Sequence, residues 1–499
     1  MSKNVPKIAF LGLDGVGKSF LRSIIEQFNL KYMKEFMKNI VELKAIPPYT
    51  PLAWTSIFSG VNPGKHGIFG FFKPKFNDYG RIVDFEVNTS KDIAAPRIFE
   101  IANAHGLRSI LMNVPFTYPV HYIHGYRNMI IVSDWTSPIQ MIFPKSIDSR
   151  LRGDPRYRKY VGMNPPSEWY EASSVKVYMN MLKTYVEGRL AIYYRLLEEY
   201  EWNCLFIVFS VFDWMLHHVR FRKLWLFDEN IHGYVLEILR AIDRFMGFVI
   251  KNSDIVFVGS DHNFSRKTIA FRVYNFLEKM GLINLGFPFK VYYQLKTNLG
   301  PNILRRILSI VKRTGKALKW EGSKRRGSLV MFVEPTSLGL YIQRGEEYDA
   351  IKKSIISKGN RFPFVKFFTN DILYWGPHVG NAPDIIIIPR EFVQLGTWGL
   401  TTYGRVSTLN HGYNAIFSYV AHSTELRKKM ECLPLNEMTI YDATPIMLYV
   451  MNLFAPYYFD TSRSIAKKIM SQLDAESLDK NIYRLKRLLK IFRITKRKH

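Results

Sequence analysis

The sequence predicts an α/β protein with a mainly parallel central sheet, helices on its flanks and an inserted cap subdomain. Four continuous apolar runs predict buried parallel strands, because a strand covered on both faces need not alternate with polar residues. These runs are residues 7–13, 109–114, 204–210 and 255–259. Apolar residues at helical spacing between them, as in residues 175–200, predict the flanking helices.

Composition and charge narrow the class of protein and of partner. The chain has 499 residues, 47% of them hydrophobic and 22% charged, which is typical of a globular protein with a large core. Seventy Lys and Arg against 42 Asp and Glu give a net charge of +28. Such an excess predicts a polyanionic partner, which could be nucleic acid, anionic lipid or a phosphorylated substrate. We find no specific nucleic-acid-binding motif.

The cysteines and the apolar runs predict the compartment. Cys204 and Cys432 are the only cysteines, too few for a disulfide framework or a thiolate metal site, which is typical of a reducing compartment. The first apolar run has six residues, too short for the core of a signal peptide. No window of about 18 uninterrupted apolar residues predicts a membrane-spanning helix. We therefore expect a cytoplasmic protein.

Residues 46–71, IPPYTPLAWTSIFSGVNPGKHGIFGF, carry the most informative segment. A proline-rich turn precedes the apolar run 53–58, which predicts a buried helix with Thr50 at or near its N-terminus. Free N–H groups at a helix N-terminus favour an anion. A threonine hydroxyl there can attack phosphorus if its pKa is lowered. Alternatively, Thr50 is only the N-cap of the helix.

Residues 12–19, GLDGVGKS, allow two interpretations. They match the phosphate-loop pattern G-x-x-x-x-G-K-[ST] in full, between a predicted strand and the helix-compatible run 19–42. This favours a nucleotide-binding protein. Alternatively, Asp14 is a metal ligand at the carboxyl end of the strand, and Lys18 and Ser19 begin a helix. The two interpretations give Asp14 incompatible roles, so distant residues must decide.

Further potential metal ligands follow the other predicted strands. A D-x-x-x-H pair places two side chains on one face of a helix, and an Asp-His dipeptide directly follows the run 255–259. Ligand sites of open α/β sheets lie at the carboxyl ends of the strands. Aspartate and histidine together suit zinc, manganese or iron. The candidates are Asp14, Asp213, His217, Asp261, His262 and His411.

The central segment also carries a resemblance to a known family. The pattern P-x-T-P-x-A-W-T-S-x-x-S-G-x-N-P-G-K-H-G-I-F resembles the nucleophile segment of the alkaline phosphatase superfamily, within its type I phosphodiesterase/nucleotide pyrophosphatase branch. Segments NVPFTYP, NFLEKMGLI and APDIIIIP are similar as well, so the resemblance extends from residue 7 to about residue 460. The order of the six ligands, with Thr50 after the first, is the signature of this superfamily.

The resemblance implies an alkaline-phosphatase-like fold and a role for each of these residues. Asp213, His217 and His411 would hold one divalent ion. The other ion would be held by Asp14, Asp261, His262 and the Thr50 oxygen. Zinc is the expected metal and manganese the alternative. Under this interpretation GLDGVGKS matches the phosphate loop by chance.

The implied reaction is phosphodiester or pyrophosphate cleavage through a covalent phosphothreonine on Thr50. The expected partner is a phosphorylated anionic substrate, a nucleotide or a lipid-linked phosphate. A phosphomonoesterase or a phosphomutase-like enzyme of the same superfamily is the alternative, and a nucleotide-binding protein using residues 12–19 is a further one. A sulfatase is disfavoured, because no C/S-x-P-x-R segment surrounds Thr50.

The chain departs from the nucleotide pyrophosphatases where a non-bridging oxygen would be bound. Gly70 and Phe71 stand where those enzymes have an asparagine, and Pro51 has no backbone N–H to donate. The oxyanion donor must therefore come from elsewhere. The candidates are Asn113, Lys65 and His378.

The domain prediction follows from the positions of these segments. Residues 1–264 together with 406–470 are expected to form the catalytic domain, residues 265–405 an inserted cap, and residues 471–499 a basic tail. Within the tail, residues 480–499 carry Ile482, Leu485, Leu489 and Phe492 at helical spacing. This amphipathic helix either lies on an anionic membrane or packs its apolar face on the domain.

Overall fold

The computed structural model describes residues 5–78, 82–166, 174–218, 229–284, 328–331, 335–455, 458–473 and 475–497. The strands are β1 Ile8–Leu13, β2 Val41–Lys44, β3 Phe72–Phe76, β4 Ile82–Val87, β5 Ser109–Met112, β6 Met129–Val132, β7 Ile142–Phe143, β8 Cys204–Phe209, β9 Ile255–Gly259, β10 Asn263–Arg272, β11 Val330–Met331, β12 Gly339–Ile342, β13 Val365–Thr369, β14 Ile385–Pro389, β15 Val393–Gly396, β16 Tyr403–Gly412 and β17 Asn414–Ala421. The helices are α1 Lys18–Phe28, α2 Lys31–Glu35, α3 Thr50–Ser59, α4 Pro63–His66, α5 Ile98–Ala104, α6 Lys145–Gly153, α7 Arg158–Val161, α8 Val175–Glu199, α9 Val211–His218, α10 Glu229–Lys251, α11 Val273–Lys279, α12 Tyr348–Gly359, α13 Thr424–Glu431, α14 Ala443–Val450, α15 Arg463–Met470 and α16 Ala475–Arg497.

A mainly parallel sheet forms the centre of the molecule, as the sequence predicts. Its strand order is β2-β17-β9-β1-β8-β5-β6-β7. The five strands from β9 to β6 run parallel, and β7 and β17 on either side of them run antiparallel. Edge strand β2 pairs antiparallel with β17 and so has the direction of the five central strands. The four apolar runs of the sequence correspond to β1, β5, β8 and β9. The predicted fold class is therefore confirmed.

Helices cover both faces of this sheet, and β1 shows how the two faces are separated. Ile8 and Phe10 lie in one hydrophobic cluster, together with residues of α3, α5, α14 and α16. Ala9 and Leu11 lie in the other cluster, with residues of α1, α8 and α10. Because successive strand residues point to opposite faces, a continuous apolar run is required here.

The predicted helix-compatible run 19–42 is wrong as a single helix. The first helix ends at Phe28, and Asn29 adopts a left-handed conformation with φ 52°. A short helix, a 3-10 turn and edge strand β2 follow. Asparagine tolerates the left-handed region better than most residues and commonly ends a helix there. The absence of proline did not reveal this break.

Residues after β9 build a second layer over the carboxyl ends of the sheet. Strand β10 pairs with β16 and β15, and a further sheet has the order β11-β12-β14-β13. The hydrophobic cluster of this layer also contains Tyr49 and Leu52. The layer therefore packs directly on the segment that carries Thr50. The boundaries predicted for the cap fall inside the paired strands β10 and β16, and the division into domains stays a prediction.

The C-terminal helix packs on the sheet. Leu485 and Leu488 are only 6% and 2% exposed and belong to the same hydrophobic cluster as Phe10, and Ile482 and Leu489 pack partly buried against that cluster. Phe492 was also predicted to belong to this apolar face, but its side chain lies outside the described part of the structure. The core-helix alternative accounts for this arrangement, and membrane contact through residues 480–499 is not supported.

Within the described part of the chain, no helix has the length and apolarity needed to cross a membrane.

Candidate active site

The carboxyl ends of three neighbouring strands bring most candidate ligands together. Strand β1 lies between β8 and β9 in parallel register, so the three strands end side by side. Asp14 directly follows β1, and Asp261 and His262 follow β9. After β8, helix α9 begins at Val211 and carries Asp213 in its first turn. This is the edge at which open α/β sheets place their ligand sites.

His411 reaches the same edge from the second layer. It lies near the end of β16 and pairs with Phe264 of β10, only two residues beyond His262. Its ring Nδ1 lies 3.0 Å from the carbonyl oxygen of Pro48. The bond connects His411 to the proline turn that precedes Thr50.

Thr50 is the first residue of α3, as the proline turn predicts. Its side chain is 5% exposed, and its Oγ1 lies 3.5 Å from His262 Nε2. The N-cap is Tyr49, and no side chain caps the helix, so Thr50 does not act as the cap. The residues that follow Thr50 in this first turn offer fewer free N–H groups than the sequence predicts. Pro51 has none, and the N–H groups of Leu52 and Ala53 donate to Tyr49 O at 3.1 and 3.0 Å.

One group of ligand atoms surrounds Asp213. His217 Nε2 and His411 Nε2 lie 3.4 and 3.3 Å from Asp213 Oδ1, and 3.0 Å from each other. Ligand atoms about 2.1 Å from a tetrahedral ion are separated by about 3.3 Å, so these distances match a shared ion. His217 is the outermost member, with a side chain 35% exposed.

A second group surrounds His262 deeper in the site. His262 Nε2 lies 3.3 Å from Asp261 Oδ2, 3.9 Å from Asp14 Oδ1 and 4.0 Å from Asp213 Oδ1. Ligand atoms of Asp14, Asp261 and His262 all lie within 4.8 Å of one another, and so do those of Asp213, His262 and His411. His262 therefore lies between the two groups that the resemblance assigns to two ions.

Hydrogen bonds outside the cluster orient the ligand atoms towards its centre. Nδ1 of His262 faces Asn263 O at 3.3 Å, and Nδ1 of His411 faces Pro48 O at 3.0 Å. A carbonyl oxygen only accepts, so the ring proton is assigned to Nδ1 and the Nε2 lone pair faces the cluster. This tautomer is the one that binds a metal through Nε2.

In the aspartates too, the two oxygens of one carboxylate differ in their hydrogen bonding. Trp54 Nε1 donates to Asp14 Oδ2 at 3.4 Å, and Gly15 N donates to Asp261 Oδ1 at 3.1 Å. The other oxygens, Asp14 Oδ1 and Asp261 Oδ2, are buried and have no hydrogen-bond partner among the described residues, and the same holds for Asp213 Oδ1. Buried carboxylate oxygens require a partner. A divalent cation would supply the partner that these oxygens require.

The pKa values of the three aspartates indicate that their negative charges are crowded together. Burial, together with repulsion from Asp261 and Asp213, holds the pKa of Asp14 well above its usual range. Burial raises the pKa of Asp261 to about 7. Burial opposes the charged form of Asp213 too, yet His217 and His411 lower its pKa well below the usual range. A cation between the carboxylates would relieve this crowding.

Comparison with known proteins identifies the family. Residues 8–413 match the family model of type I phosphodiesterase / nucleotide pyrophosphatase. The chain belongs to this family. It is therefore a phosphoesterase-type hydrolase of the alkaline phosphatase superfamily. No curated protein matches the chain in sequence.

Solved structures share the fold of this chain. Phosphonoacetate hydrolase from Sinorhizobium meliloti 1021, solved with phosphonoformate, is 14% identical, with a TM-score of 0.52 over 90% of this chain and 96% of that one. The wild-type alkaline phosphatase PafA is 12% identical, with a TM-score of 0.51 and the same coverage. At these identities the likeness shows the fold alone.

The three predicted oxyanion donors do not join the cluster as donors. Asn113 follows β5 and is buried, but its amide Nδ2 donates to Val208 O at 2.6 Å and to Ser210 Oγ at 3.2 Å. Both amide hydrogens are thus engaged. The remaining Oδ1 is buried and can only accept.

Lys65 and His378 lie away from the nucleophile. Lys65 Nζ forms an ion pair with Asp460 Oδ1 at 2.6 Å, beyond the C-terminal end of α3. That helix has 10 residues and spans about 15 Å from Thr50 to its C-terminal end, where Asp460 N donates to Gly60 O. His378 donates its backbone N–H to Gly64 O and lines a different cavity, beside Gly67.

The phosphate-loop interpretation finds no support in the loop geometry. A phosphate loop needs free N–H groups, but Gly15 N donates to Asp261 and Val16 N donates to Leu13 O. The glycines have packing roles instead. A Cβ at Gly12 would lie 2.6 Å from the Trp54 ring, and one at Gly17 would lie 2.6 Å from Asn263 Cβ.

Trp54 is the site residue that the sequence reasoning did not single out. It lies four residues after Thr50 on α3, so both side chains are on one face of the helix. From there its Nε1 reaches Asp14 and its ring covers Gly12. The i, i+4 spacing from Thr50 was the available signal.

Proposed function

We propose that this protein is a two-metal phosphodiesterase or pyrophosphatase that acts through a covalent phosphothreonine on Thr50. The observation that carries the proposal is the arrangement around the Thr50 hydroxyl. His262 Nε2 lies 3.5 Å from it. The same group contains buried oxygens of Asp14 and Asp261 that have no hydrogen-bond partner in the described part of the chain. An acceptor-rich, buried pocket of this kind is suited to cations and unsuited to a bare phosphate.

Two divalent ions would complete the site. Asp213, His217 and His411 would hold one, and Asp14, Asp261, His262 and Thr50 the other. Zinc fits the mixed aspartate and histidine donors, and manganese is the alternative. Bound there, the ions would lower the pKa of the threonine hydroxyl and stabilise charge on the phosphoryl oxygens.

The chain itself positions the nucleophile. Helix α3 starts at Thr50, and the hydrophobic cluster of the second layer, which contains Tyr49 and Leu52, packs on the preceding turn. The Thr50 oxygen forms a bond to phosphorus while the bond from phosphorus to the leaving oxygen breaks. Water then cleaves the phosphothreonine and restores the hydroxyl. The cluster is mostly buried, which excludes bulk water from the attacking oxygen.

The proposed substrate class rests on the net charge of the chain and on the family to which it belongs. A phosphorylated anionic substrate, such as a nucleotide or a lipid-linked phosphate, complements the net charge of +28. The missing asparagine near Gly70 and the missing N–H of Pro51 leave the oxyanion to be stabilised without those two groups. The cytoplasmic location stays a prediction.

The decisive experiment combines metal analysis of the purified protein with two assays. We expect about two zinc or manganese ions per chain and faster cleavage of a nitrophenyl phosphodiester than of nitrophenyl phosphate. Chelation should abolish turnover, and zinc or manganese should restore it. Faster cleavage of the monoester would instead identify a phosphomonoesterase. A metal-free protein active on neither ester would contradict the proposal.

A further inference from the structure

A large cavity lies in the second layer, at the end of β16 that is remote from the catalytic cluster. Its volume is about 640 Å³, which is within the range of small-molecule binding sites. Its walls come from α11, from the end of α12 and from the start of β16, and every lining residue belongs to the described part of the chain. Tyr403 lines the cavity, and His411 lies near the other end of the same strand. The cavity is therefore about 25 Å from the catalytic cluster.

Three cations line this cavity, and none of its lining residues is acidic. They are Lys279 at the end of α11, Lys358 in the last turn of α12 and Arg361 just after that helix. All three are exposed, and none forms an ion pair with a described residue. Glu278 precedes Lys279 in sequence but does not line the cavity. The cavity therefore has a positive potential that favours an anion.

The turn after α12 holds two of these cations beside an aromatic ring. The helix ends at Gly359, and the backbone N–H of Arg361 donates to Lys358 O at 3.4 Å. The backbone N–H of Phe362 donates to Gly359 O at 3.2 Å. These two bonds keep the turn tight, so that Lys358, Arg361 and Phe362 contribute to the same wall.

Hydrogen bonds also fix the wall formed by the segment before β16. Arg272 Nη1 donates to the backbone oxygen and to Oγ1 of Thr401, at 3.0 and 3.1 Å. Asn275 Nδ2 donates to Gly399 O at 2.7 Å. This segment is therefore tied to the end of β10 and to α11. Arg272 also places a fourth positive charge directly beside Thr401, which lines the cavity.

Tyr403 supplies an aromatic ring with a large exposed surface. The residue is 54% exposed, although its ring contacts two phenylalanines. Its ring centroid lies 5.6 Å from that of Phe364 and 6.2 Å from that of Phe362, and both contacts are edge-to-face. Phe362 in turn packs on the buried ring of Phe276, at 6.0 Å. The hydrophobic core thus supports the Tyr403 ring, and its exposed surface is available to a planar ligand.

We propose that this cavity binds a nucleotide, with the base stacked on Tyr403 and the phosphate bound by Arg361 and the two lysines. The site is separate from the catalytic cluster, so the inference goes beyond the proposed function. Aromatic side chains stack on bases of any sequence, and neighbouring cations bind the phosphates. A free nucleotide and a single strand of nucleic acid both present this chemistry.

The test is isothermal titration calorimetry of the metal-loaded Thr50→Ala protein, which measures binding without attack by the Thr50 hydroxyl. The probes are AMP, ribose 5-phosphate and a short single-stranded oligoadenylate. Added in that background, Tyr403→Leu should weaken AMP binding by about 5–100-fold, the range of a lost base stack. Arg361→Met should weaken it by about 3–10-fold, because solvent screens an exposed charge.

Control variants exclude a general charge effect, a folding defect and binding at the catalytic cluster. Tyr403→Phe retains the ring and should retain the affinity for AMP. Lys353→Met removes an exposed lysine of α12 that does not line the cavity, and should leave binding unchanged. AMP at the catalytic cluster is about 25 Å away, so only binding lost in the cavity variants belongs to the cavity. If melting curves show that Tyr403→Leu does not fold, Arg361→Met and Lys358→Met replace it.

The oligoadenylate distinguishes the two sources of a nucleotide. Tighter binding of the strand than of AMP, with the same losses in the variants, would identify a single strand as the ligand. Tighter binding of AMP would identify a free nucleotide. Affinities for AMP and for the strand that do not differ among Tyr403→Leu, Arg361→Met and Lys353→Met would overturn the site.

Ribose 5-phosphate tests whether the base contributes. Its binding should be weaker than that of AMP and insensitive to Tyr403→Leu. If Arg361→Met weakens the binding of both compounds equally and Tyr403→Leu affects neither, the cavity is a simple phosphate site and the proposal is wrong. None of these outcomes depends on cleavage of a diester, so failure of this site and failure of the proposed function are distinguishable.

Discussion

At the scale of single residues, Thr50 and Lys18 separate the two interpretations of Asp14. We expect Thr50→Ala to lower turnover of a phosphodiester by at least about a thousandfold, because it removes the attacking oxygen. Lys18→Ala should retain activity within about twofold, since Lys18 only begins α1. Steady-state kinetics of both purified variants provides the measurement. Loss of activity and of ATP binding in Lys18→Ala would restore the phosphate-loop interpretation.

His411 tests whether the distant ligand belongs to the site. We expect His411→Ala to reduce bound metal from about two ions to about one per chain, with loss of activity, because its Nε2 faces Asp213 and His217. His422→Ala is the matched control, since His422 instead contacts the carbonyl of Ile250. Elemental analysis after dialysis gives the metal content. An unchanged content in His411→Ala would remove it from the site.

At the scale of elements, the C-terminal helix tests packing against membrane binding. Leu488 of α16 is almost fully buried, so Leu488→Ala should lower the free energy of unfolding by about 2–5 kcal/mol. Lys486→Ala, an exposed position on the same helix, should change it by less than about 0.5 kcal/mol. Chemical denaturation of both variants measures the difference. Equal stability of the two variants would contradict the packing.

Helix α3 shows which features of an element the local sequence predicts and which it does not. Prolines and the apolar run locate the start of α3 at Thr50, since proline has no N–H and is tolerated only in the first turn. They do not show that Tyr49 O takes the N–H groups of Leu52 and Ala53. That depends on the backbone of the turn, on which the hydrophobic cluster of the second layer packs through Tyr49 and Leu52.

At the scale of the whole molecule, the net charge of +28 should act on substrate encounter. We expect kcat/KM for an anionic diester to fall as KCl rises from about 0.01 to about 1 M, because the screening length shortens from about 30 to about 3 Å. The kcat should change little, since the buried cluster is screened less. Stopped-flow or steady-state assays across this range measure both constants. A salt-independent kcat/KM would show that the charge serves another partner.

The sequence by itself determined the parallel strands and the positions of Asp14, Asp213, Asp261 and His262. Each follows an apolar run directly or within a few residues, and parallel neighbours end at one edge of a sheet. The local sequence is therefore sufficient to place these residues at the site, because each lies at or just beyond the carboxyl end of a strand. The nucleophile position of Thr50 comes from local pattern too, through the proline turn and the family resemblance.

Only the tertiary structure decided which hydrogen-bond partners these side chains have. The contact of His411 with Pro48 joins residues 363 positions apart, and the amide of Asn113 is engaged by Val208 across two strands. His411 comes beside the segment that carries His262 because β16 pairs with β10, with Phe264 opposite His411. A hydrogen bond depends on where its partner lies in space, and distant segments acquire that proximity only when the chain folds.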